Sequence, residues 1–372
     1  MLSFWESDSF TKYDLAIIGS GITGLSTAIE LKINSPQLSV VILERGLLPT
    51  GASTKNAGFA CVGSLTEILD DLKVMSRTEV FDLVKMRHEG LNILRSRLGD
   101  STIDYQENGS YELCFSDKDL SEDIENINQL LKPIFKRSIF SEVKNTFGFK
   151  GNVKSVIKSN AEGQIDTGKM MKGLINLAQS IGIEIKTGFE VKSIENKEGF
   201  VSILNSTLTL EVKQVCVCTN AFSKNLLPDA DFAPGRGQVL ITKPLEKLPF
   251  SGSFHFDEGY YYFRTIGNRV LFGGGRQLDF KGESTEVFDL NNNIQNDLEQ
   301  KLREIILPNT PFKVDSRWSG IMAFGPNKKP IITQVNSRVF AAVRLGGMGV
   351  AIGSKAGEIM ADLMNRNRLS KP

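Results

Sequence analysis

The stretch DLAIIGSGITG, residues 14–24, decides the fold of this chain. Its first half is a short apolar run rich in β-branched residues, which is typical of a strand buried on both faces of a sheet. Its second half fits the pattern GxGxxG, in which glycines allow a tight turn, close approach of the backbone to a pyrophosphate, and close packing of the following helix. The stretch predicts a strand, a phosphate-binding turn and a helix, with the binding residues Gly19, Gly21, Ile22, Thr23 and Gly24.

The residues after this turn complete a β-α-β unit. Apolar residues recur at helical spacing over 22–33, and LSVVILE at 38–44 is a second buried strand. Glu44 ends that strand twenty positions after Gly24, where an acid binds the ribose hydroxyls of a dinucleotide. An acid at this place argues against a dinucleotide whose ribose carries a 2′-phosphate, although the neighbouring Arg45 weakens this argument. Because the motif has its full structural context, the sequence predicts a bound dinucleotide.

Two further glycine-rich segments favour FAD over NAD. TGASTKNAG at 50–58 directly follows the ribose acid, where an NAD enzyme normally begins another β-α unit. RLGGMGVAIG at 344–353 places glycines at a strand-to-helix turn close to the end of the chain. A helix N-terminus there can meet the polar end of an isoalloxazine. A long cofactor contacted from both ends of the chain is better described as FAD.

The rest of the chain alternates between two kinds of pattern. Helices are predicted at 65–98, 119–131, 168–180 and 290–306, and strands at 109–115, 183–185, 189–194, 212–218, 260–263 and 269–273, before a final strand, turn and helix over 338–363. We predict an α/β fold in which a Rossmann-like FAD-binding domain is interleaved with an α+β substrate domain built on an antiparallel sheet. The FAD-binding domain comprises 1–75, 161–235 and 313–372, and the substrate domain comprises 76–160 and 236–312.

Composition narrows the possible partners. Lysine and arginine total 44 against 43 acidic residues, and no basic run suggests nucleic-acid binding. The N-terminus does not resemble a signal peptide and no apolar run could span a bilayer, so we expect a cytoplasmic protein. The four cysteines lack metal-ligand spacing, so no metal site is predicted and they are expected to be reduced and structural. A flavin thioether at Cys61 is the alternative.

The chain resembles the D-amino-acid-oxidase/glycine-oxidase family of FAD-dependent oxidoreductases over nearly its whole length. The resemblance is carried by IIGSGITGLSTAIEL, VVILERG, GASTKNAGF, EGQIDTGKMMKGL, GIEIKTGFEVKSIE, VCVCTNAFS, PGRGQVL, YYYFR, VLFGGGR, RWSGIMAFGPNKKPII and LGGMGVAIGSKAGEIMADLM, in this order. It implies oxidation of a carbon–nitrogen bond in a small amine or amino acid, with a hydride passing to the flavin and the imine hydrolysing in water. A 2-hydroxy-acid dehydrogenase or a non-catalytic flavin-binding protein of the same fold are the alternatives.

The resemblance and the glycine-rich segments name further cofactor residues. They are Ser53, Thr54, Lys55, Asn56 and Gly58 near the flavin, Val191 at the adenine end, Thr219, Asn220 and Ala221 along the cofactor, and Gly346, Gly347, Met348, Gly349 and Val350 at the last turn. Together with Glu44 and Arg45 they form the predicted FAD site.

The resemblance also implies a substrate cavity beneath the flavin ring. Its expected residues are Phe59, Tyr260, Tyr262, Arg264, Met322 and Arg344. Amino-acid oxidases of the family clamp the substrate carboxylate with an arginine shortly after W-x-G, because a planar guanidinium matches a carboxylate. Here Met322 stands in that place, which makes a standard α-amino acid less expected than an amine or an unusually held amino acid. Arg344 or Arg264 could hold a carboxylate instead, with a structural ion pair as the alternative for Arg344.

The remaining candidates have simpler expected roles. Tyr260 and Tyr262 share one face of a predicted strand and could wall the pocket, or they could serve ordinary sheet packing. His88 and His255 are expected to be structural or exposed, and the loop lysines Lys328 and Lys329 are expected to be solvated.

Overall fold

The structure is a computed structural model that describes residues 1–248 and 250–369. The helices are α1 Phe4–Phe10, α2 Ile22–Asn34, α3 Ala52–Lys55, α4 Leu65–Val74, α5 Arg77–Leu98, α6 Asp100–Ile103, α7 Ser121–Phe135, α8 Thr167–Ser180, α9 Asn292–Lys301 and α10 Gly349–Leu369. Short 3₁₀ helices lie at Asn220–Ser223 and Arg276–Leu278, and a π-helical turn at Leu302–Ile306.

The strands form a parallel-type sheet, a largely antiparallel sheet and one short pair. They are β1 Lys12–Ile18, β2 Val40–Leu43, β3 Phe59–Ala60, β4 Ser110–Cys114, β5 Phe140–Val143, β6 Ser155–Ser159, β7 Gly163–Gln164, β8 Glu184–Lys186, β9 Ser193–Asn196, β10 Val201–Leu204, β11 Thr209–Val217, β12 Ala233–Thr242, β13 Ser253–Phe256, β14 Tyr261–Ile266, β15 Arg269–Gly274, β16 Val314–Phe324, β17 Ile331–Gln334 and β18 Val339–Val343.

The first sheet contains the predicted β-α-β unit. Strands β8, β2, β1, β11 and β18 run parallel in this spatial order, β17 pairs antiparallel with β18, and β10 and β9 extend the sheet beside the first half of β11. All four residues of β2 are buried, as expected for a strand covered on both faces. The predicted mixed α/β fold is confirmed.

The two ends of the chain meet where α2 packs against α10. An added Cβ at Gly353 would lie 2.8 Å from Cγ2 of Ile22, and one at Gly357 would lie 2.6 Å from Cβ of Ser26. The absence of side chains at these two positions therefore lets the helices approach closely. Because both helices begin beside the carboxyl ends of parallel strands, their N-termini come together at one edge of the sheet.

The second sheet has the order β16, β12, β15, β14, β13, β4, β6, β5 and is antiparallel except where β13 meets β4. One face covers an aromatic core that includes Phe254, Phe263 and Phe272, all with no exposed surface. Each such side chain contributes about 1.5–3 kcal/mol by its burial. Tyr261 points into this core, so its neighbour Tyr262 points to the opposite face, which is the face turned toward the first sheet's cavity.

The chain leaves the second sheet later than expected. The predicted boundary at 313 places residues 314–324 in the FAD-binding domain, but these residues form β16, which pairs with β12 from Ala233 with Phe324 to Thr242 with Val314. Pro308, Asn309 and Pro311 precede the strand and Gly325 and Pro326 follow it, so turn signals stand at both of its ends. The other domain limits stay predictions.

Some local expectations also differ from the structure. Residues 189–194 were expected to form a strand, but β9 begins only at Ser193, and the N–H of Phe189 donates to the carbonyl of Glu44 at 2.8 Å within a loop. Helix α1 was not expected; a capping box between Ser3 and Glu6 starts it.

None of the helices within 1–248 and 250–369 combines the length and the apolar character needed to cross a membrane.

Candidate cofactor and substrate site

A cavity of about 690 Å³ extends from the glycine turn of the first sheet to the inner face of the second sheet. This volume lies in the range of small-molecule and cofactor sites. Its first half lies outside the carboxyl ends of β1, β2 and β11, where ligands of open α/β sheets bind. Its second half is lined by residues of β12, β14, β15 and β16. One continuous space thus joins the expected cofactor site to the expected substrate site.

The glycine turn has the geometry that its pattern predicts. Gly19 has φ 103, and an added Cβ at Gly24 would lie 2.0 Å from the carbonyl oxygen of Gly19. Gly21 is the N-cap of α2 without a side-chain cap, although the N–H of Ile22 donates to Oγ of Ser53 at 3.0 Å. The uncapped N-terminus of α2 therefore offers backbone donors to an anion such as a pyrophosphate.

Glu44 is held in place as a buried acceptor at the cavity wall. Its Oε2 accepts from the backbone N–H of Ser20 at 3.1 Å and from the hydroxyl of Ser20 at 2.6 Å, and its Oε1 accepts from the N–H of Gly46 at 3.0 Å. The guanidinium of Arg45 lies 3.7 Å over the ring of Phe222 instead of pairing with this acid. A carboxylate fixed in this way is suited to binding ribose hydroxyls.

The segment after Glu44 is fixed by contacts to distant parts of the chain. Oδ1 of Asn56 accepts from the N–H of Gly58 and from the hydroxyl of Thr167, both at 2.8 Å. The carbonyl of Lys55 accepts from the indole N–H of Trp318 on β16 at 2.9 Å. The second sheet therefore positions this segment, which lines the middle of the cavity.

Most of the predicted cofactor residues line the cavity. They are Gly19, Gly21, Ile22, Thr23, Glu44, Arg45, Ser53, Lys55, Asn56, Val191, Thr219, Asn220, Gly346, Gly347, Met348, Gly349 and Val350. The other four do not line it. Gly24 packs on Gly19, the hydroxyl of Thr54 donates to the carbonyl of Pro49, and Ala221 is buried in the core of the first sheet.

Arg264, which was expected to face the substrate, packs against Gly58, and neither residue lines the cavity. An added Cβ at Gly58 would lie 2.6 Å from Nη2 of Arg264, which is 6% exposed and does not line the cavity. Burial lowers the pKa of Arg264 to about 10. Arg264 shares a strand face with Tyr262, but it lies one step further along β14 and so ends beneath residue 58.

Arg344 also points away from the cavity, contrary to the expectation that it could hold a carboxylate. Its Nε donates to the carbonyl of Lys329 at 3.0 Å and its Nη1 donates to the carbonyl of Asp231 at 2.8 Å. Its backbone has φ 62, and its N–H donates to Oδ1 of Asn220 at 3.0 Å. The left-handed backbone turns the side chain toward these loops, so Arg344 has a structural role, which was the alternative considered.

Aromatic and sulfur-containing side chains form the wall opposite the dinucleotide turn. The ring of Phe59 lies 5.6 Å from that of Tyr262 and 5.0 Å from that of His255. Met322 lies between the second sheet and the last glycine turn, because its Cε would be 2.8 Å from an added Cβ at Gly237 and its Sδ 3.7 Å from one at Gly347. The expected cavity residues Phe59, Tyr260, Tyr262 and Met322 all line this space.

Burial controls the ionisation of two groups in this wall. It raises the pKa of Tyr262 to about 12, while Arg276 opposes the shift, so the phenol is neutral at physiological pH and can donate a hydrogen bond. Burial also raises the pKa of the Cys61 thiol well above its ordinary value. Sγ of Cys61 lies 3.6 Å from Sδ of Met348. Cys61 is therefore a protonated thiol in the cavity wall.

Lys328 was expected to be solvated, but its ammonium pairs with two acidic residues. Its ammonium lies 2.9 Å from Glu67 and 2.8 Å from Asp71, and its side chain is 29% exposed. All three residues line the cavity. Lys329 pairs with Glu79 at 2.6 Å nearer the surface. The loop after β16 is thus tied to α4 and α5 by buried and half-buried charges.

The two histidines differ in their surroundings. His88 is exposed in part and packs on the ring of Phe135, with 4.7 Å between ring centres. His255 is 7% exposed, lines the cavity, and has its Nε2 3.9 Å from a carboxylate oxygen of Glu162. No spacing in the sequence pointed to His255, because its neighbours come from other parts of the chain.

Arg276 is a cavity residue that the sequence prediction missed. It begins the 3₁₀ helix Arg276–Leu278 after β15, and its guanidinium lies 3.9 Å from the ring centre of Phe324 on β16. The turn that directs it into the cavity uses Gly274 and Gly275, with φ 131 and 77. The run GGGR was a possible signal, because glycines of this kind end a strand abruptly.

The residues present fit FAD. The turn of 19–24 can receive the pyrophosphate and Glu44 the ribose, and the wider space between Lys55 and Met348 can receive the ring system. FAD, when bound, supplies the capacity to accept a hydride from a substrate. The fold and the site together define a flavin-dependent oxidoreductase whose cavity has an aromatic wall.

Comparison with known proteins agrees with this class. The family model described as FAD dependent oxidoreductase (DAO) matches residues 14–363, and the chain belongs to this family. It is 24% identical to the probable oxidoreductase OrdL of Haemophilus influenzae, over 94% of this chain and 82% of the relative. It is also 24% identical to the gamma-glutamylputrescine oxidoreductase of Escherichia coli, over 94% and 83%. The predicted family, enzyme class and cofactor are confirmed.

A solved structure shares the fold. The glycine oxidase of Geobacillus kaustophilus superposes with a TM-score of 0.77 at 19% sequence identity, over 96% of this chain and 95% of that chain. The arrangement of the two sheets is therefore shared with a solved glycine oxidase. The protein is an FAD-dependent oxidoreductase of the DAO family.

Proposed function

We propose that this enzyme oxidises the carbon–nitrogen bond of a small amine or amino acid. The observation that carries the proposal is the single cavity that joins the dinucleotide turn to the aromatic wall of the second sheet. FAD, when bound, would supply the capacity to accept a hydride from the carbon beside nitrogen, the nitrogen would release its proton to solvent as the C=N bond forms, and water would hydrolyse the imine to a carbonyl compound and an amine or ammonia. No acid–base triad is required.

The chain's own residues would bind and orient the substrate. Phe59 and Tyr262 pack edge to face with their ring centres 5.6 Å apart and present an apolar wall. The neutral phenol of Tyr262 would donate a hydrogen bond to an acceptor on the substrate, since burial and the charge of Arg276, and no hydrogen bond within the described residues, account for its pKa shift. Met322 would contact the substrate beside the last glycine turn. These residues would also limit the access of water to the reacting carbon.

Anaerobic reduction of the FAD-loaded protein tests the proposal. A panel of amines, N-methyl amino acids and both enantiomers of simple amino acids is mixed with the enzyme, and the visible flavin absorption is followed. At least one compound should bleach the flavin, and its analogue without hydrogen on the carbon beside nitrogen should not. Reduction by 2-hydroxy acids alone would favour the dehydrogenase alternative. A fully loaded flavin that no compound reduces would refute catalysis.

A further inference from the structure

Arg276 presents a guanidinium to the cavity without a hydrogen-bonding partner. Within 1–248 and 250–369 its side chain makes no hydrogen bond or ion pair, although it lines the cavity and is half-buried. Arg236, on the neighbouring β12, instead forms a two-point pair with Glu283 at 2.8 and 2.8 Å. A guanidinium has five N–H donors, and partly desolvating them without acceptors is unfavourable. The arrangement therefore indicates an acceptor that comes from a ligand.

The position of Arg276 places that acceptor beside the reacting part of the cavity. Its guanidinium stacks on Phe324, which shares a face of β16 with Met322 because the two are separated by one residue. An added Cβ at Gly235 would lie 3.0 Å from Nη1 of Arg276 and 2.5 Å from the ring of Phe324. The missing side chain at 235 thus makes room for the stacked pair.

Of the other ionisable groups in this wall, Lys328 and Tyr262 offer no free positive charge, whereas Lys55 has its ammonium 5.0 Å from the ring centre of Phe288. Lys328 is held between Glu67 and Asp71, so it does not offer a free cation. Tyr262 is neutral, because burial raises its pKa to about 12. Burial lowers the pKa of Arg276 below its ordinary value, but a guanidinium remains charged at physiological pH. The side of the cavity beside Met322 therefore carries positive charge that matches an anion.

We infer that Arg276 is the residue that binds the substrate's carboxylate, and that the substrate is an amino acid or N-substituted amino acid rather than an amine without a carboxylate. The planar guanidinium matches a carboxylate at two points, and the ring of Phe324 holds it in one orientation. This inference rests on the proposed oxidation for the reacting bond, but the binding of the anion is a separate property of the cavity.

The test compares Arg276→Met and Arg276→Lys with a matched control, Arg303→Met. Arg303 also lies over a phenylalanine ring, 5.3 Å from the centre of Phe312, but it does not line the cavity. Each variant is first loaded with FAD, and its FAD content and thermal transition are compared with those of the parent. Carboxylates without an amine, acetate and benzoate, are then titrated by calorimetry and by their effect on the flavin spectrum.

We expect the parent and Arg303→Met to bind the carboxylates and Arg276→Met to lose about 10²-fold or more in affinity, as when one partner of a desolvated charge pair is removed. Arg276→Lys keeps the charge but loses the two-point match, so its loss should be about tenfold. In anaerobic reduction, the parent should prefer an amino acid over its decarboxylated amine. Arg276→Met should lose that preference.

The possible failures are distinguishable. If Arg276→Met, fully loaded with FAD, binds carboxylates and prefers the amino acid as the parent does, the inference is wrong while the proposed oxidation stands. An equal rate of the parent with the amino acid and its amine also contradicts it. If carboxylate binding depends on Arg276 but no compound with a C–N bond reduces the flavin, the anion site is supported and the proposed reaction fails.

Discussion

Replacing Lys328 by methionine should destabilise the protein by leaving two acids without their shared cation. The ammonium lies 2.9 Å from Glu67 and 2.8 Å from Asp71, and Asp71 is only 3% exposed. Removing one partner of a buried ion pair costs about 3–5 kcal/mol. Because 29% of the Lys328 side chain is exposed and Arg87 lies 3.9 Å from Asp71, we expect a smaller loss, about 2–3 kcal/mol.

The directions of the pKa shifts show over which pH range this stabilisation is present. Desolvation would lower the pKa of Lys328, but Glu67 and Asp71 outweigh it and raise the pKa, so its contribution is present below the ordinary value of 10.5 and is lost as pH rises through the folded pKa. Desolvation would raise the pKa of Glu67, but Lys328 and Arg87 lower it overall. Its contribution is present above 4.5 and is lost as pH falls through the folded pKa. Near neutral pH both contributions are complete.

Urea unfolding at pH 7 with a fixed excess of FAD measures the change. The single variant Lys328→Met is compared with the parent, with Asp71→Asn, and with the double variant Lys328→Met/Asp71→Asn. Because the double variant removes one charge of each sign, it should be more stable than Lys328→Met alone. A loss below about 0.5 kcal/mol for Lys328→Met, or a double variant whose losses simply add, would refute the assignment of a coupled buried cluster.

Three other predictions concern the cofactor and the pocket wall. Gly24→Ala should abolish FAD binding, because the new Cβ would lie 2.0 Å from the carbonyl oxygen of Gly19. The control Gly51→Ala, whose new Cβ would have nothing within 4 Å, should retain FAD. The FAD content is measured after gel filtration, and a Gly24→Ala protein that carries FAD would contradict the role of the turn. Glu44→Gln should weaken FAD binding about 10- to 100-fold through loss of charged hydrogen bonds, measured by quenching of flavin fluorescence; unchanged affinity would remove Glu44 from the site. The phenol of Tyr262 stays protonated to about pH 12 in the fold against an ordinary value of 10.0, so its contribution is lost as pH rises through this window. Tyr262→Phe should flatten the fall in stability between these values, and an unchanged slope in alkaline urea titrations would contradict the burial of this hydroxyl.

The cofactor site was predictable because its parts are local in sequence. The strand, turn and helix of 14–34 are adjacent in the chain, and the acid at 44 stands at a characteristic distance from Gly24. Two of the predicted cofactor residues do not line the cavity because other atoms pack against them. Gly24 and Gly58 belong to the right segments, but neighbouring backbone or side-chain atoms cover them. The pattern identifies a binding segment and does not reveal which of its residues reach the ligand.

The substrate side was less predictable because its residues come from distant strands. Lys328 was expected to be solvated, yet the loop that carries it folds against α4, where Glu67 and Asp71 are on the inward side. Similarly, the limit at 313 was wrong because residues 314–324 pair with β12, which precedes them by more than seventy residues. Long-range strand pairing leaves no signal within either segment alone.

The sequence by itself determined the nucleotide-binding unit, the FAD-dependent family and the expectation of an antiparallel sheet bearing tyrosines. Only the tertiary structure decided which arginine enters the substrate cavity. Arg264 and Arg344 have the more suggestive sequence contexts, but the alternation of β14 places one beneath Gly58, and a left-handed backbone turns the other toward loop carbonyls. Arg276 enters because the glycines before it end β15 beside Phe324. The direction of a side chain depends on backbone torsions and on neighbours brought together by folding, and neither is encoded in the identity of the residue.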